Sequence, residues 1–201
     1  MTRSKPSSRP AAANAVDQRR AERAVRELLA AIGEDPGREG LRETPCRVAR
    51  MYQELFSGVG IDPAGDLKVY HAKNEDEMIL VRDIDFYSFC EHHLLPFFGR
   101  VHIAYIPRNN RITGFSSLVR VVEAMAHQLQ LQERLTTDIA DMLVAKLNPL
   151  GLLVVVEAEH LCLTMRGVKK PGSRVVTSAI RGGMKRESTR LEALALIKSK
   201  G

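Results

Sequence analysis

Two thiols and three imidazoles, gathered in two short runs far apart in sequence, constrain this chain more than any other feature. Cys90-Glu91-His92-His93 places one thiol beside two imidazoles, and His160-Leu161-Cys162 follows about seventy residues later. Unpartnered groups of this kind are costly inside an apolar sheet. The fold therefore has to bring both runs to a common edge where they can share a ligand. Two thiolates and an imidazole make a Cys₂His set, which suits zinc and leaves a fourth position for solvent, as a catalytic zinc requires. Which histidine of the first run ligates is open at this point. A helical or tight turn projects Cys90 and His93 to one side, whereas a strand projects Cys90 and His92. In the second run, a strand continuing from Ala158 to Thr164 puts His160 and Cys162 on one face, with Arg166 further along it. Imidazoles left unligated beside the metal are candidates for general acid and base. A purely structural zinc is the competing interpretation. Isolated cysteines and histidines are most often packing residues, so Cys46, His71, His102 and His127 are assigned to packing.

The chain of 201 residues is 44% apolar and 27% charged, the balance of a soluble globular domain. No run reaches the roughly 20 apolar residues that span a bilayer. Met1 to Ala15 lacks the apolar stretch of a secretory signal. An odd count of three cysteines argues against a disulfide framework and for a reducing compartment, the cytoplasm. About half of the formal charge of +6 comes from Arg3, Lys5 and Arg9 in a Pro/Ser/Ala-rich segment, read as a disordered arm over residues 1–15. Without that arm the body is only mildly basic, with no basic cluster, so nucleic acid is not an expected partner. A polyanionic small molecule fits the balance as well.

The remaining chain alternates helix and strand signals. A helix is expected from Asp17 to Gly33, with Ala21, Val25, Leu28, Leu29 and Ile32 as its apolar stripe. A second opens at Thr44-Pro45 and ends at Gly58, with Arg47 and Arg50 three residues apart. Residues 61–77 form a loop with a short strand near its centre. Strands are expected over Met78 to Ile84 and Arg100 to Ile106, the latter with Val101, Ile103 and Tyr105 on one face. A turn at Pro107 to Asn110 supports antiparallel pairing. Ser116 or Ser117 is expected to cap a helix with the stripe Leu118, Val121, Val122, Met125, Ala126 and Leu129. A further helix faces Leu135, Ile139, Met142, Leu143 and Leu147 inward and closes at Asn148-Pro149. Strands over Leu152 to Glu159 and Arg174 to Arg181, and a helix over Glu187 to Lys198, complete an α+β fold with a mostly antiparallel sheet.

Three runs together carry a family resemblance. Ser88-Phe89-Cys90-Glu91-His92-His93-Leu94-Leu95-Pro96-Phe97, Gln130-Leu131-Gln132-Glu133-Arg134-Leu135-Thr136, and Glu157-Ala158-Glu159-His160-Leu161-Cys162 with Met165-Arg166-Gly167-Val168 closely resemble GTP cyclohydrolase I. Glu43-Thr44-Pro45 with Arg47 agrees too, so the likeness runs from about Thr44 to Arg181 in order and spacing. It implies a T-fold subunit, an antiparallel sheet backed by helices, spanning residues 16–201 with its N-terminal helices and assembling as a toroidal homodecamer with sites at subunit interfaces. It implies Cys90, His93 and Cys162 as zinc ligands, with His92 and His160 as the acid–base pair. Glu133, with Gln132 alongside, matches the carboxylate that binds the guanine edge. Arg166, Arg120 and Arg47 match positions that grip the triphosphate, and Ser116 a serine near the ribose. The implied reaction is hydrolysis of GTP at C8 with His92 protonating N7, then loss of formate. Ribose opening assisted by His160, rearrangement and ring closure then give 7,8-dihydroneopterin triphosphate. One departure stands out: the family's Gly-Leu-Ser-Lys run is here Gly114-Phe115-Ser116-Ser117, so one phosphate-gripping cation is missing and weaker nucleotide affinity is expected. Related T-fold enzymes acting on pterins or deazapurines, and a non-catalytic zinc-stabilised nucleotide-binding oligomer, are the alternatives.

Overall fold

The structure, a computed structural model, describes residues 16–65, 67–73 and 76–199. The expected N-terminal arm over residues 1–15 lies outside them. The chain divides into two compact units with a boundary between Ile61 and Asp62.

In the first unit, helix α1 (Gln18–Ala31) is capped by Asp17, whose carboxylate accepts a hydrogen bond from the Arg20 N–H at 3.0 Å. It packs against α2 (Thr44–Leu55), where Pro45 occupies the first turn and Ala49 is fully buried. Glu43, one residue before the expected Thr44, is the N-cap of α2. The stripe expected on α1 is present but uncovered at its end: Leu28 and Ile32 are exposed, because one partner helix cannot enclose a whole apolar face.

The second unit is built on a five-stranded sheet. Its long strands are β2 (Ile79–Cys90), β3 (Pro96–Ile106), β6 (Gly151–His160) and β7 (Val175–Gly182), all antiparallel to their neighbours in that order. A two-residue strand, β5 (Leu129–Gln130), pairs parallel to the end of β2, opposite Phe89 and Cys90. The short β1 (Val69–His71), near the centre of the expected loop, pairs antiparallel with β4 (Arg111–Thr113) beyond the Pro107–Asn110 turn.

Alternation along the strands sorts side chains between two cores. Val101, Ile103 and Tyr105 of β3, with Leu152, Val154, Val156 and Ala158 of β6, face helices α3 (Phe115–Ala126) and α4 (Gln132–Leu147). Ala104, Leu153 and Val155 face the other way, onto Met184 and onto Ala193 of α6 (Glu187–Lys198). Burial on both faces explains the nearly unbroken apolar run of β6. Helix α4 ends at Asn148 with φ of 48°, a left-handed cap directly before Pro149.

Five further expectations are corrected. β2 runs through to Cys90 rather than stopping at Ile84, and β3 begins at Pro96 rather than Arg100. A bulge between Val81 and Ile84, with Asp83 at φ 59°, interrupts the register there and hides the continuation from a period-two reading. Gly114, in extended conformation, is the N-cap of α3, and Ser116 and Ser117 lie in the first turn. Leu129 leaves the α3 stripe to start β5. The strand carrying His160 ends at that residue, and Leu161–Thr164 form a single helical turn, α5. His160 and Cys162 are therefore not successive same-face strand residues; the turn, not the pleat, sets the direction of the thiol.

Candidate metal centre and adjoining cavity

The two motifs meet where β2 and β6 end on either side of β3. Cys90 is the last residue of β2, and the chain then turns sharply. The Leu94 N–H donates to the Cys90 carbonyl at 2.9 Å and the Cys90 N–H to the Leu95 carbonyl at 2.9 Å, with Leu94 at φ 53°. The i, i+3 relation of a tight turn is thus realised, and Cys90 Sγ lies 3.9 Å from His93 Nδ1. The α5 turn brings Cys162 to the same place: one ligand atom each from Cys90, His93 and Cys162 all lie within 4.8 Å of one another.

This spacing fits a four-coordinate ion. Zinc bonds of about 2.3 Å to sulfur and about 2.0 Å to nitrogen set ligand atoms roughly 3.5–3.8 Å apart at tetrahedral angles. The chemistry of the donors fits as well. Burial pushes the Cys162 thiol above its ordinary value, and the neighbouring Cys90 sulfur pushes it further in the same direction. Two adjacent thiols without a countercharge resist ionisation, and a divalent cation between them removes that resistance.

A cavity of about 250 Å³ opens beside the cluster. His92 and His160 line it together with the three candidate ligands, and Gln132 and Glu133 enter it from the first turn of α4. The His160 ring stacks on Phe97 of β3, with centroids 4.6 Å apart and planes 5° from parallel, and its Nε2 lies 2.7 Å from Gln132 Oε1. Burial holds the His160 pKa below the ordinary histidine value, partly offset by the Glu133 charge. The two rings belong to residues paired directly across β3 and β6, and nearby a Cβ on Gly99, opposite Ala158, would meet the Glu157 carbonyl at 1.9 Å.

The other expected contacts are placed less centrally. Arg166 follows α5, is exposed, and donates from Nη1 to His93 Nε2 at 3.0 Å. Ser116 and Arg120 lie on α3 and do not line the cavity. The Arg120 guanidinium donates to Ser117 Oγ at 3.2 Å. Arg47 belongs to the first unit, where it pairs with Glu43 at 2.5 Å on an exposed face. Sequence reasoning missed Arg134 and Phe97. Arg134 bonds Glu91 between the ligand residues, and its only sequence signal was adjacency to Glu133. Phe97 could be read only as an apolar strand residue.

A mostly antiparallel sheet backed by helices, with a thiol–imidazole cluster at its strand ends and further imidazoles and a carboxylate beside it, defines the class: an α+β protein with a Cys-His-Cys group that could hold a metal ion. Residues 21–198 match the family described as GTP cyclohydrolase I, and the chain belongs to that family. It is 60% identical over 183 residues to GTP cyclohydrolase 1 of Carboxydothermus hydrogenoformans, covering 90% of this chain and 95% of that one. It is 57% identical over 189 residues to GTP cyclohydrolase 1 of Clostridioides difficile, covering 93% and 100%. A crystal structure of the archaeosine synthase QueF-Like in the apo form aligns with a TM-score of 0.43 and 21% identity, over 53% of this chain and 94% of that one.

Proposed function

We propose that this chain converts GTP to 7,8-dihydroneopterin triphosphate and formate, the entry step of tetrahydrofolate and pterin biosynthesis, with zinc at Cys90, His93 and Cys162. The observation that carries the proposal is the convergence of that cluster with His92, His160 and Glu133 on one cavity in a member of this family. Zinc held by Cys90, His93 and Cys162 would supply Lewis acidity and would lower the pKa of bound water towards about 7.

The protein's own groups divide the remaining work. The Glu133 carboxylate accepts from the guanine N1–H and 2-amino donors and orients the base. His92, beside the ligand turn, delivers a proton to N7 as the imidazole ring of the base opens. His160, held neutral by burial, takes and returns protons during ribose opening and rearrangement. Arg166 and Arg120 grip the triphosphate through forked guanidinium donors, and Ser116 lies near the ribose. We further assign the T-fold and a homodecameric assembly, which suits the long exposed edge of β7 and the exposed Tyr87 and Val176. Free thiols at a zinc centre suit the reducing cytoplasm. Among the described residues, no helix is long and apolar enough to cross a membrane.

The test is incubation of purified protein with GTP, following formate by a dehydrogenase-coupled assay and the product by pterin fluorescence after oxidation. One formate per pterin is expected. Nucleotide binding without formate would favour the non-catalytic oligomer.

A further inference from the structure

Gln132 is 1% exposed, and its side chain is engaged almost wholly by the protein itself. The Nε2 atom lies 3.0 Å from the Val156 carbonyl of β6 and 3.0 Å from the Val175 carbonyl of β7. Carbonyl oxygens only accept, so the atom facing both is the amide nitrogen, and the orientation of the side chain follows from its chemistry.

The hydroxyls around it agree in direction. Thr136 Oγ1 donates its single proton to the Gln132 backbone carbonyl at 2.7 Å. In the 2.6 Å contact between Thr136 and Thr177, the proton therefore belongs to Thr177. The Thr177 oxygen, 3.1 Å from Gln132 Nε2, is a third acceptor that shares the two amide protons with the Val156 and Val175 carbonyls. Every donor in the chain Thr177, Thr136, Gln132 thus has an acceptor, and Gln132 Oε1 is left facing the ring of His160.

We propose that Gln132 is a positioning residue for His160, holding its imidazole as the Nε2–H tautomer and leaving the lone pair on Nδ1 as its basic atom. The amide oxygen can only accept, so the ring nitrogen 2.7 Å away must carry the proton. Phe97 fixes the plane of the ring by stacking, and Gln132 fixes its rotation within that plane. This assignment rests on the proposed role of His160 and moves Gln132 from the expected substrate contacts to the support of a catalytic group.

The tautomer is read directly from the ring nitrogens of zinc-loaded protein labelled with ¹⁵N-histidine, with His160 assigned by the signals lost in His160→Asn. A protonated Nε2 and a bare Nδ1 are expected in the unsubstituted protein, and mixed tautomers in Gln132→Met. A protonated Nδ1 in the unsubstituted protein overturns the proposal, whatever reaction the enzyme catalyses. In turnover of GTP, Gln132→Met is expected to lower kcat by about tenfold or more with KM unchanged. Placed in the His160→Asn background, it is expected to add no further loss. A raised KM with unchanged kcat, or equal losses in both backgrounds, overturns the proposal. Should Gln132→Met not assemble, the unsubstituted spectrum still decides.

Discussion

The Glu91 carboxylate and the Arg134 guanidinium, 2.5 Å apart, tie the turn that carries Cys90 and His93 to the first turn of α4. Arg134 extends the tie by donating to Gln130 Oε1 at 2.9 Å and to the Leu129 carbonyl at 3.2 Å. Its hydrogen bond holds the Glu91 carboxyl below the usual carboxylate range. Both side chains are partly exposed, so the pair adds little to stability and its effect is on geometry. Arg134→Ala is therefore expected to weaken zinc binding by about 10- to 100-fold while the melting temperature barely moves. Competition with a chromophoric chelator measures this, and an unchanged zinc affinity would count against the tie.

Cys162→Ser is expected to lose zinc and turnover together while the sheet stays folded. Cys162 sits on the single turn α5, half-buried, outside the strands that hold the core. Zinc per chain by emission spectroscopy and secondary structure by circular dichroism separate the two outcomes. Full zinc occupancy in this variant would remove Cys162 from the ligand set.

Part of the acid sensitivity is expected to arise away from the centre, at His102. This ring is 6% exposed and accepts a hydrogen bond at Nδ1 from the Asp83 N–H at the β2 bulge, at 3.2 Å. Burial lowers its pKa from the ordinary 6.5, with Asp83 and Glu157 opposing and Arg100 and Arg82 reinforcing the shift. The unfolded chain therefore binds this proton first as pH falls. The stability contribution is complete above about pH 6.5 and is lost as pH drops towards the folded pKa. Thermal melts at several values below about pH 6.5 should show a steeper decline for the unsubstituted protein than for His102→Gln. Equal slopes would contradict the assignment.

Ser117→Lys tests the departure from the family run. Ser117 Oγ accepts from Arg120, and the residue is 4% exposed. A lysine there has to extend its charge out of a buried start, which its long stem allows. The KM for GTP is expected to fall about tenfold, the worth of one added charge-assisted hydrogen bond. An unchanged KM would show that the missing cation does not limit affinity.

Much of the fold was legible because apolar periodicity is long and clean in α3, α4 and β6, and because Asn148-Pro149 marks a stop that the left-handed Asn148 confirms. The strand ends were harder to read for a local reason: the bulge at Asp83 shifts the alternation by a residue, so Phe86 and Ser88 no longer follow the phase of Ile79 and Val81. That Cys90, Cys162 and one histidine of the first run would cluster was legible from residue type; His93 was singled out by the family resemblance, and the route that brings Cys162 in was not legible. A four-residue helical turn has too few positions to show a period. The Arg134–Glu91 pair and the contacts of Gln132 with β6 and β7 were not legible, because spacing within one run cannot reveal partners from other segments.

X-ray absorption at the zinc edge of the purified, GTP-free protein tests the central claim most directly. Two sulfurs at about 2.3 Å and two lighter atoms at about 2.0 Å are expected, one of the latter being exchangeable solvent that responds to added nucleotide. Absence of zinc, or a shell filled by four protein side chains, would contradict a centre that holds a reactive solvent position between Cys90, His93 and Cys162.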